Sequence, residues 1–155
     1  MNCIMLTVDN IDMLVEFEIN ARISETDVFI EKFDEAKFKN QTLDALINPL
    51  FSSAKCLMCA DDTGNIIGRL DLTLLPSLAF GGDLRAYIDW IYVLKNRRNK
   101  GVARFLLSQA EVILKQLGVS EYFLITAEND EAGKFYRGLK DVRIKHENVL
   151  TKSII

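Results

Sequence analysis

The stretch from Arg85 to Leu117 does most to limit what this chain can fold into. Arg85 to Leu94 is rich in Tyr, Trp, Ile and Val and reads as a strand. Residues 95–100 are polar and basic. From residue 101 to 117, Ala103, Leu106, Leu107, Ala110, Ile113, Leu114 and Leu117 recur at spacings of three and four. That period is an amphipathic helix, with Gly118 as its C′ residue. A strand that feeds a loop and then a one-faced helix needs a sheet to cover that face, so the chain is mixed α/β.

The remaining segments supply the sheet. Ala54–Ala60 and Asn65–Leu75 read as strands joined by the hairpin turn Asp61-Asp62-Thr63-Gly64. Cys3–Val8 reads as a short strand, and Glu121–Thr126 as another. Residues 11–23 fit both a strand alternation and a helix face. Their length and a plausible N-cap at Asp9 favour a helix. A second helix is predicted over residues 40–51, with Pro49 near its end, and a short one over 129–138. Pro76–Asp83 is a loop. Asp141–Ile144 and Val149–Ile154 read as final strands. At 155 residues the chain is expected to be one domain, 1–155, given about 150 residues per domain.

Composition excludes several classes. With 49% hydrophobic and 26% charged residues, disorder, collagen and coiled coil are ruled out. No apolar run approaches the roughly 20 residues of a membrane span. Met1–Val8 lacks the basic flank and cleavage site of a signal peptide, so a cytoplasmic location without membrane contact is expected. The cysteines Cys3, Cys56 and Cys59 are odd in number, which argues against a disulfide framework. Cys56 and Cys59 stand three apart on a strand, on opposite faces, and no second pair completes a metal site. His146 reads as an exposed loop residue. No Ser or Cys stands in a nucleophile setting that would support a triad hydrolase.

Charge is unevenly spread. Residues 1–94 hold 7 Lys and Arg against 15 Asp and Glu, and residues 95–155 hold 12 against 7. Five bases, Lys95, Arg97, Arg98, Lys100 and Arg104, fall within ten positions free of acid. A mildly acidic chain with one tight basic cluster fits a local anion site rather than a nucleic-acid surface. The cluster also opens the long helix, whose first N–H groups lack carbonyl partners and whose dipole favours negative charge. Gly101 lets a ligand approach the backbone, while Arg98 and Lys100 add charged donors. These residues suit a phosphate or pyrophosphate site and suit a solvated basic loop equally well. The Walker and dinucleotide glycine patterns are absent.

The segment Arg98-Asn99-Lys100-Gly101-Val102-Ala103 resembles the Q/R-x-x-G-x-G/A signature of the GNAT superfamily of N-acetyltransferases. The second half of that signature follows in order as Asn129, Ala132, Phe135 and Tyr136. The resemblance is clearest over residues 85–139. It implies a central mixed, mostly antiparallel twisted sheet flanked by about four helices, with acetyl-coenzyme A as co-substrate. It also implies roles. Backbone amides from Arg98 to Ala103 would bind the pyrophosphate. Ile91, Tyr92 and Val93 would pair with the pantetheine arm, with an N–H near Val93 facing the thioester oxygen. Asn129 and Phe135 would support the cofactor, and Tyr136 would protonate the leaving thiolate. In some relatives an acid at the place of Asp89 contacts the acceptor amine. Asp89 is therefore the candidate base, beside ordered water and a merely exposed carboxylate, and by alternation it shares a face with Ile91 and Val93. Two departures stand out: Arg137-Gly138-Leu139-Lys140-Asp141 differs from the usual end of the short helix, and Asn99 replaces a frequent glycine.

The acceptor expected from this reading is a small-molecule amine. The acidic first half (Glu16, Glu18, Glu25, Asp27 and Asp89) points to a cationic one, with Phe80, Tyr87 and Trp90 as apolar walls. Those acids also read simply as solvated helix faces. A non-catalytic acyl-coenzyme A-binding module and a protein or peptide amine acetyltransferase remain as alternatives. Dimers are common in the family.

Overall fold

The computed structural model describes residues 1–79, 82–126, 130–145 and 149–154. Its elements are β1 (Asn2–Met5), α1 (Ile11–Ser24), α2 (Glu35–Ile47), β2 (Ala54–Ala60), β3 (Ile66–Ser77), β4 (Asp83–Val93), α3 (Val102–Gln116), β5 (Glu121–Leu124) and α4 (Asp130–Arg137). They fall into two compact units, Met1–Leu124 and Ile125–Ile155. The first unit holds a five-stranded sheet in the order β1-β2-β3-β4-β5. The first three pairings are antiparallel and β4 with β5 is parallel. A parallel pair needs a crossover, and α3 supplies it. The described residues thus form the mixed sheet with four helices that the resemblance implies.

Neighbouring residues on β3 show which helix covers which face. Gly68 looks at Val102 and Leu106 of α3, whereas Arg69 donates to Glu18 of α1 at 2.5 Å. Successive strand residues point to opposite faces, so α1 and α3 sandwich the sheet. On the α1 face, Leu6, Ile11, Leu14, Val15, Phe17, Met58, Ala60 and Ile66 form one apolar cluster, with Phe38 and Leu43 of α2 packed against it. On the other, Leu106, Leu107, Ala110 and Leu114 of α3 are buried, as are Leu57, Leu70, Leu72 and Ile88 of the sheet.

Several boundaries differ from expectation. Residues 11–23 are helical, but the turn before them, Val8–Asn10, makes Asn10 the cap rather than Asp9. The buried face of α1 is Ile11, Leu14, Val15, Phe17, Glu18 and Ala21, leaving Ile23 out in solvent. Helix α2 begins five residues before the expected start, because the Asp34 carboxylate accepts the Lys37 N–H at 2.9 Å. It ends at Ile47, and Pro49 opens a separate 3₁₀ turn. The expected strands at Asp141–Ile144 and Val149–Ile154 do not form: the described residues there hold no strand. Asp141 adopts φ +59°, and Val142, Ile144, Val149 and Leu150 are exposed. Apolar alternation makes no strand without a ladder partner. No helix among the described residues is long and apolar enough to cross a membrane.

Candidate functional site

The site is built where β4 runs into α3. Gly101 takes the left-handed conformation at φ +81°, and Asn99 does so at φ +60°. Asn tolerates that region better than most residues, so its place in the signature is stereochemically satisfied. Alternating left-handed residues of this kind form anion-binding nests. The first intrahelical bond of α3 runs from the Phe105 N–H to the Gly101 carbonyl at 2.9 Å. The N–H groups of Val102, Ala103 and Arg104 therefore have no helical acceptor behind them. A Cβ on Gly101 would meet nothing within 4 Å, so the backbone there is open to a ligand.

The basic side chains are largely spoken for. Arg97 donates to Asp61 at 2.9 Å, and Asp61 in turn accepts from the Thr63 N–H and hydroxyl and the Asn65 N–H. Those bonds, the Thr63 hydroxyl first, hold its carboxyl below the ordinary value. Arg98 donates to Glu25 at 2.5 Å and to the Val93 carbonyl at 3.2 Å. Lys100 donates to the Asn96 carbonyl at 3.1 Å. Side-chain charge thus holds the loop, and the free donors toward an anion are mainly backbone N–H groups.

Strand β4 contributes an open edge. The Leu94 N–H donates to the Ile67 carbonyl at 3.1 Å. Alternation along the ladder then points the Val93 N–H and carbonyl away from β3. On that side β5 pairs only with Arg85–Ile88. Along Ile91, Tyr92 and Val93 the edge has no β5 partner, and it leads directly to the loop.

Asp89 differs from its sequence reading. Asp71 pairs with Trp90 and Leu72 with Ile88, so Asp89 is the extra residue of a β-bulge. The bulge shifts the side-chain phase by one. Tyr87 and Trp90, three apart, both pair with α1-face residues of β3, and Asp89 does not simply share the face of Ile91 and Val93. Its carboxylate is exposed, as is Trp90. Trp90 stacks on Tyr92 at 6.4 Å, and Tyr87 meets Phe123 at 5.2 Å.

The acidic residues divide into two kinds. Glu18 is buried, accepting from Arg22 and Arg69, and Arg69 also donates to Asp71 at 2.7 Å. Glu25 is buried between Arg98 and the Tyr92 hydroxyl. Neither is available to attract a substrate, which corrects the expectation for those two. Glu16 and Asp27 are exposed. Burial, then hydrogen bonding to Glu25, pushes the Tyr92 phenol up to about 12.

In the second unit, Phe135 and Tyr136 stand on α4 with their rings 5.1 Å apart, edge to face. Burial raises the Tyr136 phenol above its ordinary value. Asn129, Phe80 and His146 lie outside the described residues. Cys56 and Cys59 face opposite sides of β2, paired with Asp71 and Gly68, and burial raises both thiols, Cys59 to about 11. Sequence reasoning missed Gly68, although an isolated glycine inside a strand pattern is a signal for close backbone approach.

Comparison with known proteins gives concordant results. A profile described as acetyltransferase (GNAT) family matches residues 20–140. An uncharacterized N-acetyltransferase of Chlorobaculum tepidum is 27% identical over 124 residues, covering 79% of this chain and 74% of that protein. The crystal structure of a ribosomal-protein-alanine N-acetyltransferase from Brucella melitensis aligns with TM-score 0.72 at 16% identity, over 98% of this chain and 100% of that one. An aminoglycoside acetyltransferase from an uncultured soil sample, in complex with sisomicin, aligns with TM-score 0.68 at 17% identity, over 97% and 96%. These two structures are alike in fold.

Proposed function

The chain belongs to the GNAT acetyltransferase family and is an N-acetyltransferase, and from that premise we propose that it moves acetyl from acetyl-coenzyme A to the primary amine of a small cationic molecule. The observation that carries the reading is the continuity of two features. The edge of β4 at Ile91–Val93, which β5 does not cover and where the Val93 N–H has no partner among the described residues, runs straight into the N–H cluster at the start of α3. An extended amide-bearing arm that ends in a pyrophosphate needs that sequence of donors.

Acetyl-coenzyme A, when bound, supplies an activated acyl carbon and a thiol leaving group of pKa about 8.5. Backbone N–H groups from Arg98 to Ala103 hold the pyrophosphate. Ile91 offers its edge groups to the arm, Tyr92 between them bonds back to β3 and lends its side chain, and the Val93 N–H donates to the acyl oxygen as it gains charge. Asp89, or water beside it, takes the proton from the amine. Tyr136 gives its proton to the departing sulfur, while Asn129 and Phe135 support the cofactor. In this reading residues 1–155 act as one acetyltransferase domain. Support for a cationic acceptor comes from exposed Glu16, Asp27 and Asp89 with Trp90 and Tyr87, and from the aminoglycoside acetyltransferase among the structural relatives.

The test is free-thiol release from acetyl-coenzyme A with an amine panel: small cationic amines, neutral amines and a peptide N-terminus. Release with cationic amines is expected. Calorimetry showing no coenzyme A binding would sink the proposal. Binding without release for any amine makes the protein an acyl-coenzyme A-binding module, and release with the peptide alone moves the acceptor to that class.

A further inference from the structure

Glu25 sits at the C-terminal end of α1, where a helix normally meets water. Its N–H closes the helix on the Ala21 carbonyl at 3.1 Å, and its own carbonyl accepts the N–H groups of Val28 and Phe29, each at 3.1 Å. The segment after α1 is therefore turned on Glu25. Its side chain is only 7% exposed. A buried carboxylate is costly unless it is paired and hydrogen-bonded. Here one oxygen, Oε2, takes both the Arg98 Nη2 at 2.5 Å and the Tyr92 hydroxyl.

Each donor leads somewhere. Arg98 uses its Nε on the Val93 carbonyl at 3.2 Å, and its Cζ lies 5.6 Å from the Tyr92 ring centroid. That carbonyl lies on the open edge, on the same side as the Val93 N–H, so Arg98 fixes the end of the edge where it meets the loop. Arg98 is also the residue that enters the N–H cluster. Tyr92 in turn meets Phe29 edge to face at 5.6 Å, so the turn after α1 and the end of β4 are joined twice, through the carboxylate and through the rings.

We infer that Glu25 is a positioning residue: through Arg98 it sets the Val93 peptide and the anion-binding loop, and through its turn and Tyr92 it ties them to the segment after α1. The role toward coenzyme A rests on the acetyltransferase reading; the clamp itself does not. An isolated glutamate at a helix end would read as a solvated charge. What makes it more is that its partners, 67 and 73 positions away, are a residue beside Val93 on β4 and the residue that opens the anion-binding loop.

Two readouts test the clamp separately. The first is coenzyme A affinity by calorimetry for wild type, Glu25→Gln, Arg98→Gln and the double variant. Each single change is expected to weaken binding about tenfold, as for loss of a charged hydrogen bond. The double variant should be no weaker than either alone, and Glu25→Asp should recover part of the loss. The second is limited trypsin cleavage within residues 95–100, which needs no ligand. Glu25→Gln should be cut there faster than wild type, with cleavage elsewhere unchanged. A Glu25→Gln protein that melts lower but keeps wild-type affinity and wild-type cleavage in the loop overturns the inference. Should Glu25→Gln not fold, Arg98→Gln tests the same link from its more exposed end. Absence of coenzyme A binding by the wild type refutes the acetyltransferase reading and the cofactor role of Glu25, and unchanged cleavage then also refutes the clamp.

Discussion

A guanidinium that bonds a buried carboxylate through Nη2 and a peptide carbonyl through Nε is fixed in place, although other N–H groups on it are still available. Arg98 is in that position, and its own N–H bonds the Lys95 carbonyl at 3.4 Å, so much of its worth to an anion lies in the loop it holds. The signature Arg98–Ala103 was legible in the sequence because it is local: six consecutive residues specify a helix start and two left-handed turns. Glu25 was visible only as one acid among many, since the partner that defines it lies 73 positions on. Tyr136 poses the opposite problem, a residue singled out by pattern whose role needs chemistry to decide. Burial raises its phenol above the ordinary value of 10.0. A general acid must be protonated, and a raised pKa keeps it so across the neutral range. The alkaline fall in kcat due to Tyr136 is accordingly expected above pH 10. Tyr136→Phe should lower kcat by about 100-fold, leave coenzyme A affinity within about twofold, and remove that alkaline limb. Stopped assays across pH with parallel calorimetry check this, and an unchanged kcat removes Tyr136 from the mechanism.

The strand–loop–helix unit depends on how closely α3 can sit on the sheet, and Gly68 sets that distance. A Cβ there would lie 2.6 Å from Val102 Cγ1 and 3.2 Å from Leu106 Cδ1. Val102 is β-branched and stiff at χ1, so it cannot easily swing aside. Gly68→Ala should push away the first turn of α3, the turn that carries the free N–H groups. The expected cost is about 1–3 kcal/mol of stability, with weaker coenzyme A binding. Val102→Ala in the same chain should restore most of both, and denaturant melts with calorimetry on the wild type and the two variants measure it. If the double variant is as unstable as the single, the contact with Val102 is not the cause. Elements with strong local periodicity, α3 and the β2–β3 hairpin, were legible for the same reason that they are stable alone as patterns. Three features were not. The start of α2 depends on one capping carboxylate, Asp34, ahead of a polar turn. The bulge at Asp89 arises from pairing with β3 and leaves no mark in β4 itself. The segments after residue 140 alternate like strands but have no ladder in the described structure.

Over the whole chain, the acid excess of residues 1–94 separates into charge that holds structure and charge that can act at a distance. Glu18, Glu25 and Asp71 are neutralised by buried or half-buried arginines. Burial even lifts the Asp71 carboxyl above its ordinary value despite Arg69 beside it. Fields from such pairs largely cancel, and what remains to steer a cationic acceptor is the exposed acids, Glu16, Asp27 and Asp89 among them. The sequence showed the sum of these charges and could not divide it, because pairing is a property of the fold. The division makes a prediction that the sum does not. With acetyl-coenzyme A saturating, kcat/KM for a cationic amine should fall about tenfold as salt rises from about 0.1 M to about 1 M, where the screening length shrinks from about 10 Å to about 3 Å. A neutral amine of similar size should show little change. Glu16→Gln with Asp27→Asn should flatten the salt slope while the melting temperature holds. Glu18→Gln should do the reverse, leaving the slope intact and lowering stability by about 1–3 kcal/mol, because it removes the charge that Arg22 and Arg69 share while Arg69 keeps Asp71. If the slope responds to Glu18 and not to Glu16 and Asp27, the paired acids are the ones that steer, and the division drawn from burial is wrong. If no variant and no salt concentration changes the cationic amine's kcat/KM, the acceptor is held by contact alone, and the aromatic surface of Tyr87 and Trp90 becomes the feature that selects it.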